Sequence, residues 1–223
     1  MKLSEQTREV LKNFSTINQN LLVKPGKTLT TMSAMKNIVA KAEVGDSFPK
    51  EFAIYDLNEF LAALSLFQTP DLDFQEHCVV ITEGKTKNKT LKYFYSDPSV
   101  ITSPSKEIQM PEPEVSFEFK HDTFNRVIKA SAVLGVPDLV LNGSGALSVT
   151  DKKNSSANNF SVDVDTEGIG DYKFYFKVEN LKIISGDYDV EISSKNISHF
   201  INKSNDKTVQ YWIALEPDSS YTV

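Results

Sequence analysis

Two halves of this chain carry the same order of hydrophobic patterns, and that repeat limits the fold more than any other feature. The first half opens on a helical pattern from Ser4 to Asn18, with Val10, Leu11, Phe14 and Ile17 on one stripe and Arg8, Lys12 and Ser15 on the other. The second opens on DTFNRVIKASAVLG, Asp122–Gly135. There Phe124, Val127, Ile128, Ser131 and Leu134 form the buried stripe, while Asn125, Arg126 and Lys129 point to water. Asp122 suits the helix N-terminus and Gly135 is a fitting stop. Setting Val10-Leu11-Lys12 over Val127-Ile128-Lys129 puts a lysine at the same point on both helices.

The parallel continues along both halves. A short apolar strand follows each helix, Leu21–Val23 or Leu139–Leu141, then a Gly turn, then further strands: Thr28–Met32 with Ile38–Val44, and Ala146–Thr150 with Phe160–Val164. Each half then runs a strand straight into a short helix, Phe52–Leu66 and Lys173–Ser185. Aspartate-led strands come next, Asp71–Gln75 and Asp187–Ser193, and an aromatic strand closes each half, Lys92–Tyr95 and Gln210–Ile213. This order predicts an α+β fold with an internal duplication. Between the halves, Asp97–Pro113 holds Pro98, Pro104, Pro111 and Pro113 and no periodic pattern, which predicts an extended connector. The expected division is a domain over 1–96, a connecting loop over 97–113 and a second domain over 114–223.

Charge sharpens the meaning of the helix faces. Thirty Asp and Glu against 24 Lys and Arg leave a net charge of −6, so a nucleic-acid partner requires the bases to be gathered on one surface. The single cysteine, Cys78, excludes an internal disulfide framework and sits among core residues. The opening MKLSEQTREV has no apolar h-region and no run reaches membrane-spanning length, so the expected compartment is cytoplasmic, with no membrane partner.

Catalytic chemistry is not foreseen. His77, His121 and His199 stand in unrelated settings and match no zinc spacing, and Asp71, Asp73, Glu76 and His77 read as a solvated strand face rather than metal ligands. Gly143-Ser144-Gly145 and Gly168-Ile169-Gly170 lack the marks of phosphate or dinucleotide loops, and no serine sits in a nucleophile elbow. No catalytic residue, metal or cofactor is expected.

The opening MKLSEQTREVLKNFSTIN, the unit FAIYDLNEFLAALSL, the stretch NLKIISGDYDV and the end YWIALEPDSS resemble the sliding clamps of T-even-type bacteriophages. These are DNA polymerase processivity factors related in fold to proliferating cell nuclear antigen. The resemblance spans essentially the whole chain. It implies a DNA-clamp fold with two similar domains per chain, sheets outside and helices lining a channel, closed as a ring-shaped homotrimer in the cytoplasm of an infected bacterial cell. Duplex DNA would be gripped without reading its sequence by Arg8 and Lys12, by Arg126 and Lys129, and by Lys182 on a fourth helix. The second helix, with Asn58 and Glu59, departs from the family by carrying no base.

The resemblance also implies how chains meet. An edge strand with Lys87, Lys89, Leu91 and Tyr93 would pair with a neighbour's Phe160, Val162 and Val164, basic segment against acidic. The replicative DNA polymerase and an ATP-dependent clamp loader would dock short apolar tails on a pocket built from Met32, Val100, Ile101, Ile108, Met110, Trp212, Leu215 and Pro217. Late-transcription factors are further expected partners. Two other readings share the duplication and the missing active site: a β-rich structural virion protein, and a monomeric peptide-binding adaptor.

Overall fold

The computed structural model describes residues 1–84, 89–204 and 208–223. The chain forms two compact units that divide between Lys106 and Glu107, with Thr208 and Val209 at the start of the strand Thr208–Ala214 counted in the first. In the first unit the order is α1 (Glu5–Ile17), β1 (Leu21–Val23), β2 (Gly26–Met32), β3 (Ile38–Phe48), β4 (Phe52–Ile54), α2 (Leu57–Ser65), β5 (Pro70–Phe74), β6 (Cys78–Glu83) and β7 (Thr90–Phe94). The second runs β8 (Val115–Phe119), α3 (His121–Leu134), β9 (Asp138–Asn142), β10 (Ala146–Thr150), β11 (Phe160–Asp163), β12 (Thr166–Gly168), β13 (Asp171–Lys177), β14 (Tyr188–Ser193), β15 (Ile197–Asn202), β16 (Thr208–Ala214) and β17 (Ser220–Thr222).

Among the described residues the strand pairs within each unit are antiparallel. In the first unit β2 pairs β3, β1 pairs β4, and β5, β6 and β7 make a three-stranded sheet that β7 ends. In the second, β11-β10-β9-β13-β17 form one sheet that β11 ends, and β12-β8-β14-β15-β16 form the run of another. Alternation sets the faces. Along β14 and β16, Tyr188, Val190, Val209, Tyr211 and Ile213 enter the core, while Asp189, Glu191 and Gln210 turn the other way. Phe119, Phe174, Phe176 and Phe200 are fully buried in the second unit, and Phe14 is fully buried among aliphatic side chains such as Leu11, Leu21, Leu29 and Ile54 in the first. Helices α1 and α2 pack on each other, and α3 packs on β10 and β11. Among the described residues no helix is long and apolar enough to cross a membrane.

The expected repeat fails after β13. The strand of the second half does not run into a helix: after β13 only a 3₁₀ turn, Val178–Asn180, forms, and an irregular segment carries Leu181–Asp187. Its counterpart α2 is capped by Asp56, whose Oδ1 accepts the N–H groups of Asn58 and Glu59 at 2.9 and 3.1 Å. The turn has Lys177 at the equivalent place with no capping bond, and Val178, Ile183 and Ile184 are β-branched. Lys182 therefore sits on a loop rather than a fourth helix. A last strand, β17, also follows the aromatic β16, pairing with β13.

Candidate nucleic-acid interface and partner surface

Helix α1 begins at Ser4, whose hydroxyl accepts the N–H of Thr7 at 3.2 Å. Thr7, Val10, Leu11, Phe14 and Ile17 are buried, which leaves Arg8 and Lys12 on the exposed side. Asp46, at the far end of β3, reaches this start: its Oδ2 accepts the backbone N–H and the hydroxyl of Ser4, both at 2.7 Å. Burial works upward on the Asp46 carboxyl. Hydrogen bonds from Thr7 and Ser4, with the charge of Arg8, outweigh it and hold the group below the usual carboxylate range.

Helix α3 repeats the device. Lys120 gives no capping bond, and the backbone N–H of His121 goes instead to Asp187 Oδ1 at 2.7 Å. The helix ends at Gly135, whose left-handed φ of +67° suits glycine. Of the expected stripe, Val127 and Ser131 are buried, while Phe124, Ile128 and Leu134 are half-buried. Arg126 and Lys129 are exposed. The loop bearing Lys182 is tied to the first turn of α3, since Ser185 Oγ lies 3.1 Å from a ring nitrogen of His121 and Asn125 Nδ2 lies 2.9 Å from the other. Arg126, Lys129 and Lys182 thus belong to one helix and the loop pinned to its start. On α2, Asn58 and Glu59 are exposed and no base is present.

Carboxylates gather on one face of the second unit, where Lys203 pairs with Glu118 and Asp189, each at 3.0 Å. Phe124 of α3 meets Phe119 on the core face of the β8–β16 run, with ring centres 5.5 Å apart. The opposite face of that run, turned from α3, carries Glu118, Asp189 and Glu191, which with Asp165 and Glu167 line a cavity of about 400 Å³.

Both expected edge strands end their sheets. On β7 the outward positions are Thr90, Lys92 and Phe94, with Phe94 68% exposed. Tyr93 turns to α2: its hydroxyl donates to the Asp56 carbonyl at 3.1 Å and its ring meets Phe60 at 5.2 Å. Burial first, and the Glu59 carboxylate second, push the Tyr93 hydroxyl up to about 12. Leu91 is half-buried, and Lys89 lies 3.8 Å from Glu83. Lys87 lies outside the described residues. Tyr55, Lys92 and Phe94 line a shallow cavity of about 420 Å³ along this strand, two exposed aromatics that the sequence pattern did not single out. On β11, Phe160 is exposed and Val162 half-buried; Val164 follows, half-buried.

Partner-surface residues divide by unit. In the first, Met32 is half-buried at the end of β2, Val100 is exposed and Ile101 is buried. In the second, Ile108 and Met110 are half-buried, Leu215 and Trp212 are buried and Pro217 is exposed. Trp212 lies flat on His199, with ring centres 4.6 Å apart and planes within 8°. His199 in turn is held by Glu191 at 3.2 Å and Gln210 at 3.1 Å, one at each ring nitrogen. The segment after β16 is fastened by Lys152, whose ammonium reaches Glu216 at 3.0 Å and Asp218 at 2.6 Å and lies 5.3 Å from the Tyr175 ring centre.

Similarity to known proteins runs the length of this architecture. The family pattern described as DNA polymerase processivity factor matches residues 4–102, and that of the gp45 sliding clamp C-terminal domain matches residues 116–217. The sliding clamp of Vibrio phage KVP40 is 40% identical over 97% of this chain and 99% of its own length. That of Escherichia phage RB69 is 29% identical, with 99% of both chains covered. Among solved structures, proliferating cell nuclear antigen from Thermococcus kodakaraensis superposes with a TM-score of 0.71 at 14% identity, covering 94% of this chain and 96% of its own. That from Entamoeba histolytica gives 0.70 at 12%, with 95% of both covered. The fold is the one shared with these antigens, and the family match sets aside the virion-protein reading. This chain belongs to the bacteriophage sliding-clamp family, the DNA polymerase processivity factors.

Proposed function

We propose that three copies of this chain close a ring around duplex DNA and tether the replicative polymerase to it, with no catalysis of its own. One observation carries this reading: α1 and α3, the equivalent helices of the two units, each start on an aspartate from elsewhere in the unit and each leave a pair of bases exposed, Arg8 with Lys12 and Arg126 with Lys129. With Lys182, five bases per chain become fifteen per ring (3 × 5), inside an assembly of net charge −18 (3 × −6). Long solvated side chains touch phosphates loosely and read no base, which suits movement along the helix. The carboxylates on the sheet face turned away from α3 keep DNA from the outside.

Residues 1–96 and 114–223 act as the two clamp domains and 97–113 as their connecting loop. Neighbours pair through β7 and β11, with Leu91, Tyr93 and Lys89, and with Lys87, against Phe160, Val162 and Val164. Apolar tails of the polymerase and of an ATP-dependent clamp loader dock on the surface formed by Met32, Val100, Ile101, Ile108, Met110, Trp212, Leu215 and Pro217. Late-transcription factors are further partners, and the work is done in the cytoplasm of the infected bacterium.

The first test is sedimentation equilibrium over a wide concentration range, followed by retention on closed circular DNA. A species near 75 kDa (3 × 25.0) that stays on circles and leaves on linearisation is the expected result. A 25.0 kDa monomer at every concentration would overturn the ring.

A further inference from the structure

Strands β7 and β11 end their sheets among the described residues, and the bonds they already make fix which of their backbone groups stay open. On β7, the Glu83 N–H donates to the Lys89 carbonyl at 3.3 Å and the Tyr95 N–H to the His77 carbonyl at 3.1 Å, so odd-numbered positions bond toward β6. Thr90, Lys92 and Phe94 therefore turn their N–H and C=O groups to the open edge. Beyond Phe94 that edge is closed, since the Ser96 N–H donates to the Ala53 carbonyl at 2.9 Å. On β11, the Val164 N–H donates to the Gly145 carbonyl at 2.9 Å, which sets even-numbered positions toward β10 and leaves Ser161 and Asp163 on the open edge. Side chains follow the same parity. Leu91 and Tyr93 stand across from the buried Ile81 and Val79, and Phe160 and Val162 across from the buried Val149 and Leu147, all on core faces. Lys92, Phe94, Ser161 and Asp163 point the other way and are exposed.

We infer that β7 of one chain and β11 of a second copy join antiparallel in the register that sets Lys92 across from Asp163, an inference that rests on the ring proposed above. An antiparallel ladder pairs residues whose open groups face each other. Lys92 and Phe94 then meet Asp163 and Ser161, and the core faces of the two units continue into one another. A parallel ladder would set Lys92 opposite a residue of β11 whose groups turn away, Phe160 or Val162, and so on the side of its neighbour's core residues. Charge chooses among the antiparallel registers, because Lys92 is the base of β7 and Asp163 the acid of β11. A slip of two residues leaves Lys92 opposite Ser161, or Phe94 opposite Asp163. In the matched register Leu91 meets Val164, Tyr93 meets Val162 and Tyr95 meets Phe160, so the core face is apolar along its length. Phe160 then enters the cavity of about 420 Å³ that Tyr55, Glu59, Tyr93 and Tyr95 help to line. One contact thereby covers an exposed phenylalanine and the aromatic cavity beside β7.

Both charges are exposed, so exchanging them tests the pair without touching a core. Lys92→Glu and Asp163→Lys should each weaken trimer formation about tenfold, because like charges then meet across the ladder. The double variant should recover to within about threefold of the unmodified chain, as sedimentation equilibrium at low salt would read. A covalent trap reads the register independently. Leu91→Cys with Val164→Cys sets two thiols at a pair that exchanges no ladder bonds, the closer kind, with Cα atoms about 4.5 Å apart. Cys78 is buried, so the introduced thiols are the accessible ones. Oxidation should give a closed species near 75 kDa (3 × 25.0) that survives denaturation without reductant, while Leu91→Cys with Val162→Cys stays mostly at 25.0 kDa. A double charge variant as weak as the single ones overturns the register and leaves the ring standing. Cross-linking through Val162→Cys in place of Val164→Cys does the same. A 25.0 kDa monomer of the unmodified protein at every concentration overturns both.

Discussion

Asp46 accepts both the backbone N–H and the hydroxyl of Ser4 at 2.7 Å, so α1 starts on a carboxylate from a residue 42 positions away. Asp187 accepts the backbone N–H of His121 at the start of α3, 66 positions away. Both basic helices thus start on an aspartate from elsewhere in their unit, although Asp46 on β3 and Asp187 before β14 stand at non-equivalent places in the repeat. Asp46→Asn keeps the shape and removes the charge, and should cost about 1 kcal/mol of stability. The folded Asp46 carboxyl is held below its ordinary range, so its contribution is complete above the unfolded value and is lost as pH falls through the folded one. Denaturant titration of the wild type and Asp46→Asn at neutral and at acid pH checks this: the gap between them should narrow on acidification. A gap independent of pH would assign the loss to something other than the carboxylate.

These caps mark the boundary of what the sequence makes legible. The helix stripes, Ser4 as a start and Gly135 as a stop are local signals, and α1, α2 and α3 follow them. The exposed bases of α1 and α3 were equally readable, because 3.6-residue spacing puts them on a defined face, whereas the edge strands were implied only by the family resemblance. Asp46 and Asp187 were not, since each acts across the fold on a backbone group with no residue signature. The repeat itself misled at Val178–Ile184, where analogy with Leu57–Ser65 suggested a helix that β-branched residues and a missing cap do not support. Trp212, placed among apolar pocket residues, proved to lie flat on a histidine, a partner that only strand register supplies.

Lys152 joins the loop after β10 to the segment that follows β16, and its loss should loosen both. Its backbone N–H bonds the fully buried Asp138 at 3.0 Å, which also pairs with Lys177. Burial opposes the Lys152 charge, but the hydrogen bonds to Asp218 and Glu216 outweigh it and raise its pKa; the same bond to Lys152 is the main reason that Asp218 lies low. A raised lysine contributes below its unfolded value and fails as pH climbs through the folded one. A lowered aspartate contributes above its unfolded value and fails as pH drops through the folded one. The tie is therefore strongest between the two ranges. Lys152→Met should destabilise by about 1–2 kcal/mol at neutral pH, with most of the effect gone in acid. Hydrogen exchange at Leu215 and Ser219 should quicken at the same time, because these amides lie on the released segment. Unchanged exchange there would count against the tie.

Each helix base that meets phosphate releases about one counterion, so its removal reduces the salt slope of DNA affinity by about one unit per contact. Arg126→Gln with Lys129→Gln should weaken retention on circular DNA uniformly across sequences and flatten its salt dependence, while stability stays within about 0.5 kcal/mol, since both side chains are exposed. Arg8→Gln should do less than either, because Asp46 already offsets part of its charge. Filter or gel-shift measurements at several salt concentrations check both statements. Loss confined to particular DNA sequences would contradict phosphate contact.

Phe94 on β7 and Phe160 on β11 are exposed aromatic residues on strands that end their sheets, and chain association should depend on both. An exposed phenylalanine beside unpaired backbone groups is a liability unless a partner covers it. A shallow cavity lined by Tyr55, Lys92 and Phe94 offers room for an incoming apolar side chain. Phe94→Asp and Phe160→Asp should each leave the monomer folded, because neither residue enters a core, and should weaken assembly by at least tenfold. Mixing the two variants should not restore a closed ring, since every ring of mixed chains keeps at least one damaged edge. Sedimentation equilibrium reads the result directly. Assembly of Phe94→Asp at wild-type concentrations would remove this aromatic from the contact and leave the backbone ladder of β7 to carry it alone.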